Sequence, residues 1–521
     1  MELINLLKKG HFPKELPPPF TTKYFADFYI KNNHLLPKPR SSSRGTRFSC
    51  PRVGITRKSV FITNPEHQTT LFNYISLKWR EISLHYTKSK LSYSKPHLLG
   101  NRASNLPSFK DFRRRCFEES YCHRYELKTD ISKYYPSIYT HSIPWALHTK
   151  EASKNNVNSK LKINNIGDWI DKYIRLTQHS QTIGIPVGPD SSHIISEIIG
   201  TSIDEHLQNK FPNLVGFRYV DDIYLYFSTY AEAELCLKEI QQIFREFELQ
   251  ISGEKTKITE LPQGIEEDWI INLRKFNFDT NQLQQQHDLY SFFSLAFDYS
   301  QKYKDKFVLS YAIRRISNEF IYYSNFSLYE SLLYKTIISE SSTLPDVLSI
   351  LLSYKNLIDL QKLKNTLQTI IEYACPRGFD FEVSWSLWYI LTFKIKIDCK
   401  ISKILENLID PISMLLTLDL IEQKLIIEED LKLASWENQI NNNCLRDDKW
   451  ILAYEIALKG WLLTKYDYIE EETSLYFKIL KKNKITFYDN TLQVEVKNNF
   501  NISSKKSEKI HTLNIEHSEY D

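Results

Sequence analysis

The sequence contains no run of eighteen or more apolar residues, so no segment of it is long and apolar enough to cross a bilayer as a helix. Its seven cysteines (Cys50, Cys116, Cys122, Cys236, Cys375, Cys399 and Cys444) include no CxxC pair, which excludes a zinc ribbon, and their odd number argues against a disulfide framework. Cys116 and Cys122 with His123 lack a second close pair and read as packing or idle side chains. The amino terminus offers only Leu3, Ile4, Leu6 and Leu7 as an apolar cluster, too short for a secretory signal. These absences predict an intracellular, cytoplasmic protein without a membrane partner.

What is present bounds the rest. With 521 residues the chain has room for two to four domains. Apolar residues at 42%, charged at 25% and aromatic at 13% are globular proportions, which excludes global disorder and collagen-like architecture. The net charge of +4 hides an asymmetry: residues 1–120 carry 22 Lys and Arg against 8 Asp and Glu, and the remainder is net acidic. The densest basic stretch, residues 31–60, holds Lys31, Lys38, Arg40, Arg44, Arg47, Arg52, Arg57 and Lys58 with no acid at all. Phosphate is the natural partner of such a surface, although a merely solvated basic face has the same composition.

Along the chain, the Pro- and Ser-rich stretch of about 1–50 is expected to be extended and to wrap over another part of the molecule. Residues 57–79 predict a short strand, a turn at Asn64–Pro65 and an amphipathic helix. Around Tyr125 the period becomes two, placing Asp130 at a strand end on the polar face. A loop with Gly184, Pro186, Gly188 and Pro189 leads into a helix whose early serines read as caps. GFRYVDDIYLYFS (216–228) reads as a hairpin with Asp221 and Asp222 at the bend, followed by an amphipathic helix. Beyond about residue 285 come successive Leu/Ile-rich helical stretches without a strict period, expected to stack as irregular helix pairs with Trp385, Trp388, Trp450 and Trp461 in their core. The expected division is an amino-terminal extension with the basic module (1–120), an α/β unit (121–280), an α-helical repeat region (281–496) and a polar, fraying tail (497–521).

An Asp-Asp pair at a bend is more often a turn than a metal site. Asp130, however, sits on a separate strand end, with a Gly/Pro loop and a helix between it and the pair. Three carboxylates brought together repel unless cations neutralise them, and oxygen-only ligation suits Mg²⁺, with Mn²⁺ as a substitute. Such a site would hold two ions, one on an attacking hydroxyl and one on a triphosphate.

These residues carry a resemblance. DISKYYPSIY (130–139), QTIGIPVGPDSS (181–192), RYVDDIYLYF (218–227) and ISGEKTKI (251–258) resemble motifs A, B, C and D of reverse transcriptases, and RKSVFITNP (57–65) is similar to their triphosphate-holding fingers segment. The resemblance covers about residues 45–260 and implies an α+β right-hand polymerase, fingers and palm, followed here by an all-α, HEAT-like repeat domain. It implies that Asp130, Asp221 and Asp222 are metal ligands and that the Ile131 main-chain carbonyl completes the shell. Lys133 and Tyr134 would offer main-chain N–H groups to the phosphates. Tyr135 would be the steric gate that crowds a ribose 2′-hydroxyl, with core packing as its plainer role. Arg57 and Lys58 would contact the triphosphate, Gln181 and Gly188 would form the template and nucleotide wall, and Lys255 would be the acid that protonates pyrophosphate. Lys257 is an alternative to Lys255.

GIPVGPDSSHIISEII and DISKYYPSIYTHSIPWALH further resemble the bacterial antiphage enzymes of the abortive-infection and defence-associated group. QTIGIPVG replaces the QG-containing loop of intron, retron and retroviral enzymes, and no maturase-type or HNH-like His/Cys cluster follows. That resemblance implies a DNA polymerase in phage defence using dNTPs, with protein priming or a partner RNA, a single-stranded DNA product and a homo-oligomeric assembly. No priming residue is identified. The alternatives are RNA-templated cDNA synthesis from an associated non-coding RNA and, from another class, a binding scaffold with a vestigial site.

Overall fold

The computed structural model describes every residue except 40, 53–55, 159–164, 280, 428–430, 432, 464–466, 472–474, 495 and 497–521, and the side chains of 155–158. The expected tail and Arg40 of the basic stretch thus lie outside the described residues.

Two antiparallel sheets organise the first half of the chain. The smaller pairs β1 (Thr46–Pro51) with β2 (Arg57–Ile62), and Pro51 lies opposite Arg57. The larger has the order β4-β5-β3-β6, built from β3 (Tyr125–Asp130), β4 (Val215–Tyr219), β5 (Asp222–Phe227) and β6 (Lys257–Glu260). Central strand β3 pairs with β5 so that Asp130 faces Asp222, Lys128 faces Tyr224 and Glu126 faces Tyr226.

Helices pack on both faces of this sheet, Phe109–Glu119 through Phe112 and Cys116 on the face of Tyr224 and Tyr226 and Tyr230–Glu246 on the other. In Tyr230–Glu246 the buried Ala233, Cys236, Ile240, Ile243 and Phe244 recur every three or four residues, and Thr229 with Glu232 forms a capping box at its start. The Asp190–Lys210 helix is buried on all sides along most of its length, which makes it an internal strut rather than a surface helix. Its cap differs from expectation: Pro189 occupies the N-cap and Ser191 and Ser192 lie inside the first turn, where the Ser192 hydroxyl donates to the Pro186 carbonyl. The turn at Asn64 does cap the Pro65–Leu77 helix, its side chain accepting from Glu66 N–H.

The amino-terminal 50 residues are not simply extended. They form helices Leu3–Lys9 and Lys23–Asn32, because Leu6, Leu7, Phe25 and Ala26 supply fully buried anchors that outweigh the surrounding prolines. Beyond the larger sheet, helix follows helix: Leu360–Ala374 packs on Asp380–Phe393, which packs on Pro411–Glu422, which packs on Trp450–Lys459. Trp385, Trp388 and Trp450 are buried there. Trp461 follows the last of these helices and is only partly buried.

The helical region folds back onto the β1–β2 hairpin. Helix Asp380–Phe393 packs on β1, and the Asp380 carboxylate accepts from Ser49 N–H at 2.7 Å. Trp450 Nε1–H donates to the Ile62 carbonyl, Asn64 donates to Leu445 O, and Arg446 pairs with Glu66. Phe20 meets Tyr488, and Thr21 N–H donates to Phe487 O. No helix among the described residues is long and apolar enough to cross a membrane.

Candidate active site

The sheet register brings the predicted carboxylates together. Asp130 ends β3 and Asp222 begins β5 directly opposite, while Asp221 occupies the bend and its carbonyl accepts from Ile131 N–H at 3.3 Å. Although expected on a polar strand face, Asp130 is only 2% exposed. Its Oδ2 accepts from the Lys255 ammonium, and its Oδ1 is buried without a hydrogen-bond partner. Burial, then the charges of Asp130 and Asp222, push the Asp221 carboxyl up to about 7. Burial and Asp130 raise Asp222 in the same way. Burial pulls the Lys255 ammonium down, but its contact with Asp130 and the pull of Asp222 and Asp221 outweigh that, and its pKa is raised.

Lys255 is placed by main-chain bonds. Ser132 N–H donates to Gln250 O and Ser252 N–H to Asp130 O, and the Thr129 and Thr256 hydroxyls bond at 2.8 Å. The loop after Leu249 is thereby zipped along the end of β3. Lys257, the alternative, lies two residues on in β6 and lines a groove instead.

Among the described residues no group of three or more His, Cys, Asp or Glu side chains is arranged to hold a metal ion. The expected trio is therefore not drawn around one point; a facing Asp130–Asp222 pair, Asp221 on the adjoining bend and one ammonium stand in its place. The donor chemistry nevertheless fits a hard cation: oxygen-only ligands, an orphaned buried Asp130 Oδ1 and carboxylates whose mutual repulsion a divalent ion would relieve.

The other predicted residues divide. The Ile131 side chain is buried, which leaves only its main chain for any ligand. Lys133 is exposed with a left-handed backbone at φ 47°, and Tyr134 is buried with its hydroxyl donating to Ser196 O. Half-buried Tyr135 receives Ile185 N–H on its carbonyl, tying the 130–139 segment to the Gly/Pro loop. Gln181 is exposed on that loop. Gly188 has φ 127°, and a Cβ there would meet Pro13 at 2.8 Å, so only glycine fits against the amino-terminal extension.

Arg57 is committed elsewhere. Its Nη1 and Nη2 donate to the two oxygens of Glu382 at 2.5 and 2.8 Å, its Nε and Nη2 bond Ser49, and its guanidinium lies 4.2 Å from the Phe379 ring centroid. Arg57 is expected to contact the triphosphate; in this structure its guanidinium is engaged on its full fork, which leaves few donors for a phosphate unless the Glu382 pair opens. Lys58 stands exposed, 3.5 Å from Glu15.

Sequence reasoning missed Arg218, 1% exposed beneath the bend, where it spans Glu197 and Asp204 of the Asp190–Lys210 helix. Two acids seven residues apart on a helix, with Gly200 between them, were the available signal. It also missed a groove of about 650 Å³ on the carboxylate face of the sheet, lined by Lys128, Tyr224, Tyr226, Lys257, Arg113 and Tyr121 among others. By strand alternation Lys128 and Glu126 share the face of Asp130, and Tyr224 and Tyr226 that of Asp222.

A four-stranded antiparallel sheet backed by helices, with carboxylates where strand end meets hairpin bend, defines a palm of the right-hand polymerase type. Residues 76–297 match the family model described as "Reverse transcriptase (RNA-dependent DNA polymerase)", and the chain carries a reverse transcriptase domain. No curated protein matches the chain in sequence. Among solved structures, it is similar to apo telomerase from Candida tropicalis truncated from its C-terminal domain (12% identity, TM-score 0.30, covering 46% of this chain and 54% of that one). Apo telomerase from the same organism matches at 10% identity and TM-score 0.31, over 71% of this chain and 70% of that one. Telomerase from Candida albicans in complex with a TWJ fragment of telomeric RNA matches at 11% identity and TM-score 0.29, over 62% and 70%. The chain thus spans about half the length of the first of these structures.

Proposed function

We propose that the protein is a DNA polymerase that adds dNTPs by nucleotidyl transfer at Asp130, Asp221 and Asp222, and that it serves in antiphage defence. The observation that carries the polymerase reading is the juxtaposition of Asp130 and Asp222 across β3 and β5, with the orphaned Asp130 Oδ1 beside the Asp221 bend. Asp130 and Asp221, with Asp222 and the Ile131 carbonyl beside them, would hold Mg²⁺, which when bound lowers the pKa of an attacking hydroxyl and neutralises phosphate charge. Lys255 stays protonated at neutral pH because its pKa is raised, so it holds a proton at Nζ that a leaving pyrophosphate can take. Tyr135, whose carbonyl ties the 130–139 segment to the Gly/Pro loop, is the residue assigned here to crowd the sugar. The main-chain N–H groups of Lys133 and Tyr134 and the exposed Lys58 ammonium are the remaining donors for the triphosphate.

The defence role, priming from the protein's own side chain and homo-oligomerisation rest on the resemblance of GIPVGPDSSHIISEII and DISKYYPSIYTHSIPWALH to abortive-infection enzymes. The aromatic and cationic groove beside the site supports a single strand of DNA as product, since aromatic rings stack bases and lysines meet phosphates. The family description favours a second reading, synthesis of cDNA on an RNA template. Purified protein with Mg²⁺ and each labelled dNTP, without added nucleic acid, separates the two. Label retained on the polypeptide after boiling in detergent, and released as short DNA by protease, supports template-independent, protein-primed synthesis. Incorporation only when RNA is added, with product free of protein, favours the RNA-templated reading. No incorporation under either condition would favour a scaffold.

A further inference from the structure

Val220, immediately before Asp221, has a left-handed backbone with φ 58°. For a β-branched residue this is a strained conformation, which persists only where the surroundings over-determine it. Both main-chain polar atoms of Val220 are held from below: its N–H donates to Ser94 Oγ at 2.8 Å, and its carbonyl accepts from Arg218 Nη1 at 3.0 Å. Arg218 is itself locked. Its Nη1 and Nη2 meet the two oxygens of Glu197 at 3.0 and 2.9 Å, and its Nε and Nη2 meet Asp204 at 2.9 to 3.0 Å. Ser94 and Ser92 donate to Glu197, and Ser89 donates to Asp204. All three charged residues are at most 2% exposed. A Cβ on Gly200 would lie 2.6 Å from the Arg218 guanidinium carbon, so the helix leaves room for that group only because residue 200 is glycine.

A buried arginine with two carboxylates stabilises the fold little more than apolar packing would. Its hydrogen bonds, however, end on the strained residue that carries Asp221. We propose that Ser94, Arg218, Glu197 and Asp204 form a positioning network whose function is to hold Val220 in its strained conformation and thereby aim the Asp221 carboxylate. Ser94 and Arg218 touch neither nucleotide nor metal; they act through the Val220 main chain. This inference rests on the polymerase reading of the same site.

The test reads the Mg²⁺ midpoint in two ways, by dNTP incorporation and by the Mg²⁺-induced rise in Tm of nucleotide-free protein. Ser94→Ala removes one acceptor and should raise both midpoints roughly tenfold, the size of effect typical when a group supporting a metal ligand is lost, with Tm in EDTA little changed. Adding Val220→Gly should bring the midpoints back toward wild type, because glycine adopts positive φ without strain and needs no hold. Unchanged midpoints in Ser94→Ala, with or without a lower Tm in EDTA, would show a merely structural role and overturn the inference. If Ser94→Ala does not fold, Gly200→Ala displaces the guanidinium from the opposite side, and an unchanged midpoint there overturns it equally. Wild-type protein with no Mg²⁺ response and no incorporation would sink the polymerase reading and the inference with it. A responsive wild type with an indifferent Ser94→Ala would sink the inference alone.

Discussion

At the scale of single residues, the site is a problem of charge. Asp221 ionises freely in the unfolded chain near pH 4 but only near pH 7 in the fold, because burial and the Asp130 and Asp222 carboxylates oppose its charge. Below pH 4 both states hold the proton and the group contributes no difference. As pH rises toward 7 the unfolded chain ionises while the native state resists, so metal-free native protein is progressively penalised, and the penalty is complete above about pH 7. Asp221→Asn should therefore abolish incorporation yet be more stable than wild type in EDTA. Its advantage should grow from nothing near pH 4 to an upper bound of roughly 2 to 4 kcal/mol at neutral pH. Denaturation of both proteins across this pH range checks it, and a pH-independent difference would mean that Asp221 titrates normally. Tyr135 makes a separate prediction. Half-buried beside the Gly/Pro loop, its truncation to Ala should raise the ratio of rNTP to dNTP incorporation by opening space at the sugar, whereas a packing tyrosine would cost stability and leave the ratio alone.

At the scale of elements, the β1–β2 hairpin is held by the helix that begins at Asp380. The Arg57–Glu382 pair is half-buried on one side and 7% exposed on the other. Removing one partner strands a charge away from water. Glu382→Ala should cost about 3 kcal/mol, and Arg57→Ala a similar amount, with a double mutant that falls short of the sum by about 1 to 3 kcal/mol. Chemical denaturation measures this. The dNTP KM decides what Arg57 does: a latch loses stability first, while a triphosphate ligand would raise KM with stability intact.

At the scale of the whole molecule, the two ends of the described chain share one core. Trp450 is fully buried, bonds the Ile62 carbonyl and packs with Phe12, Phe477 and Phe487, and Phe487 packs in turn on Phe25. Fingers and helical region should therefore unfold together. Truncation after residue 280 would uncover Phe12, Phe25, Phe48 and Ile62, and the fragment is expected to aggregate or bind a hydrophobic dye. Trp450→Ala in the full chain should cost about 3 to 5 kcal/mol. Calorimetry that resolves two independent transitions, or a soluble monomeric 1–280 fragment with native circular dichroism, would show instead that the regions fold separately.

What the sequence determined by itself is whatever is encoded locally. Period-two alternation placed β3, aromatic and β-branched runs placed the hairpin of β4 and β5, the Asn64–Pro65 turn placed a helix start, the three- and four-residue spacing of Ala233, Cys236 and Ile240 placed an amphipathic helix, and the order of the short motifs singled out Asp130 and the Asp221–Asp222 pair as candidates. Local patterns were enough because each depends on neighbours within one strand or one helical turn. Where partners lie hundreds of residues away, only the tertiary structure decided. Arg57 and Glu382 are separated by 325 positions, and no pattern around Arg57 distinguishes a guanidinium bound for phosphate from one bound for a carboxylate. The amino-terminal prolines suggested extended chain, yet the apolar anchors found burial against elements the local sequence does not contain. Arg218 reads as one more residue of a strand until Glu197, Asp204 and the gap at Gly200 close around it. Charge and burial are properties of an assembled environment, and they are settled only when the chain has folded back upon itself.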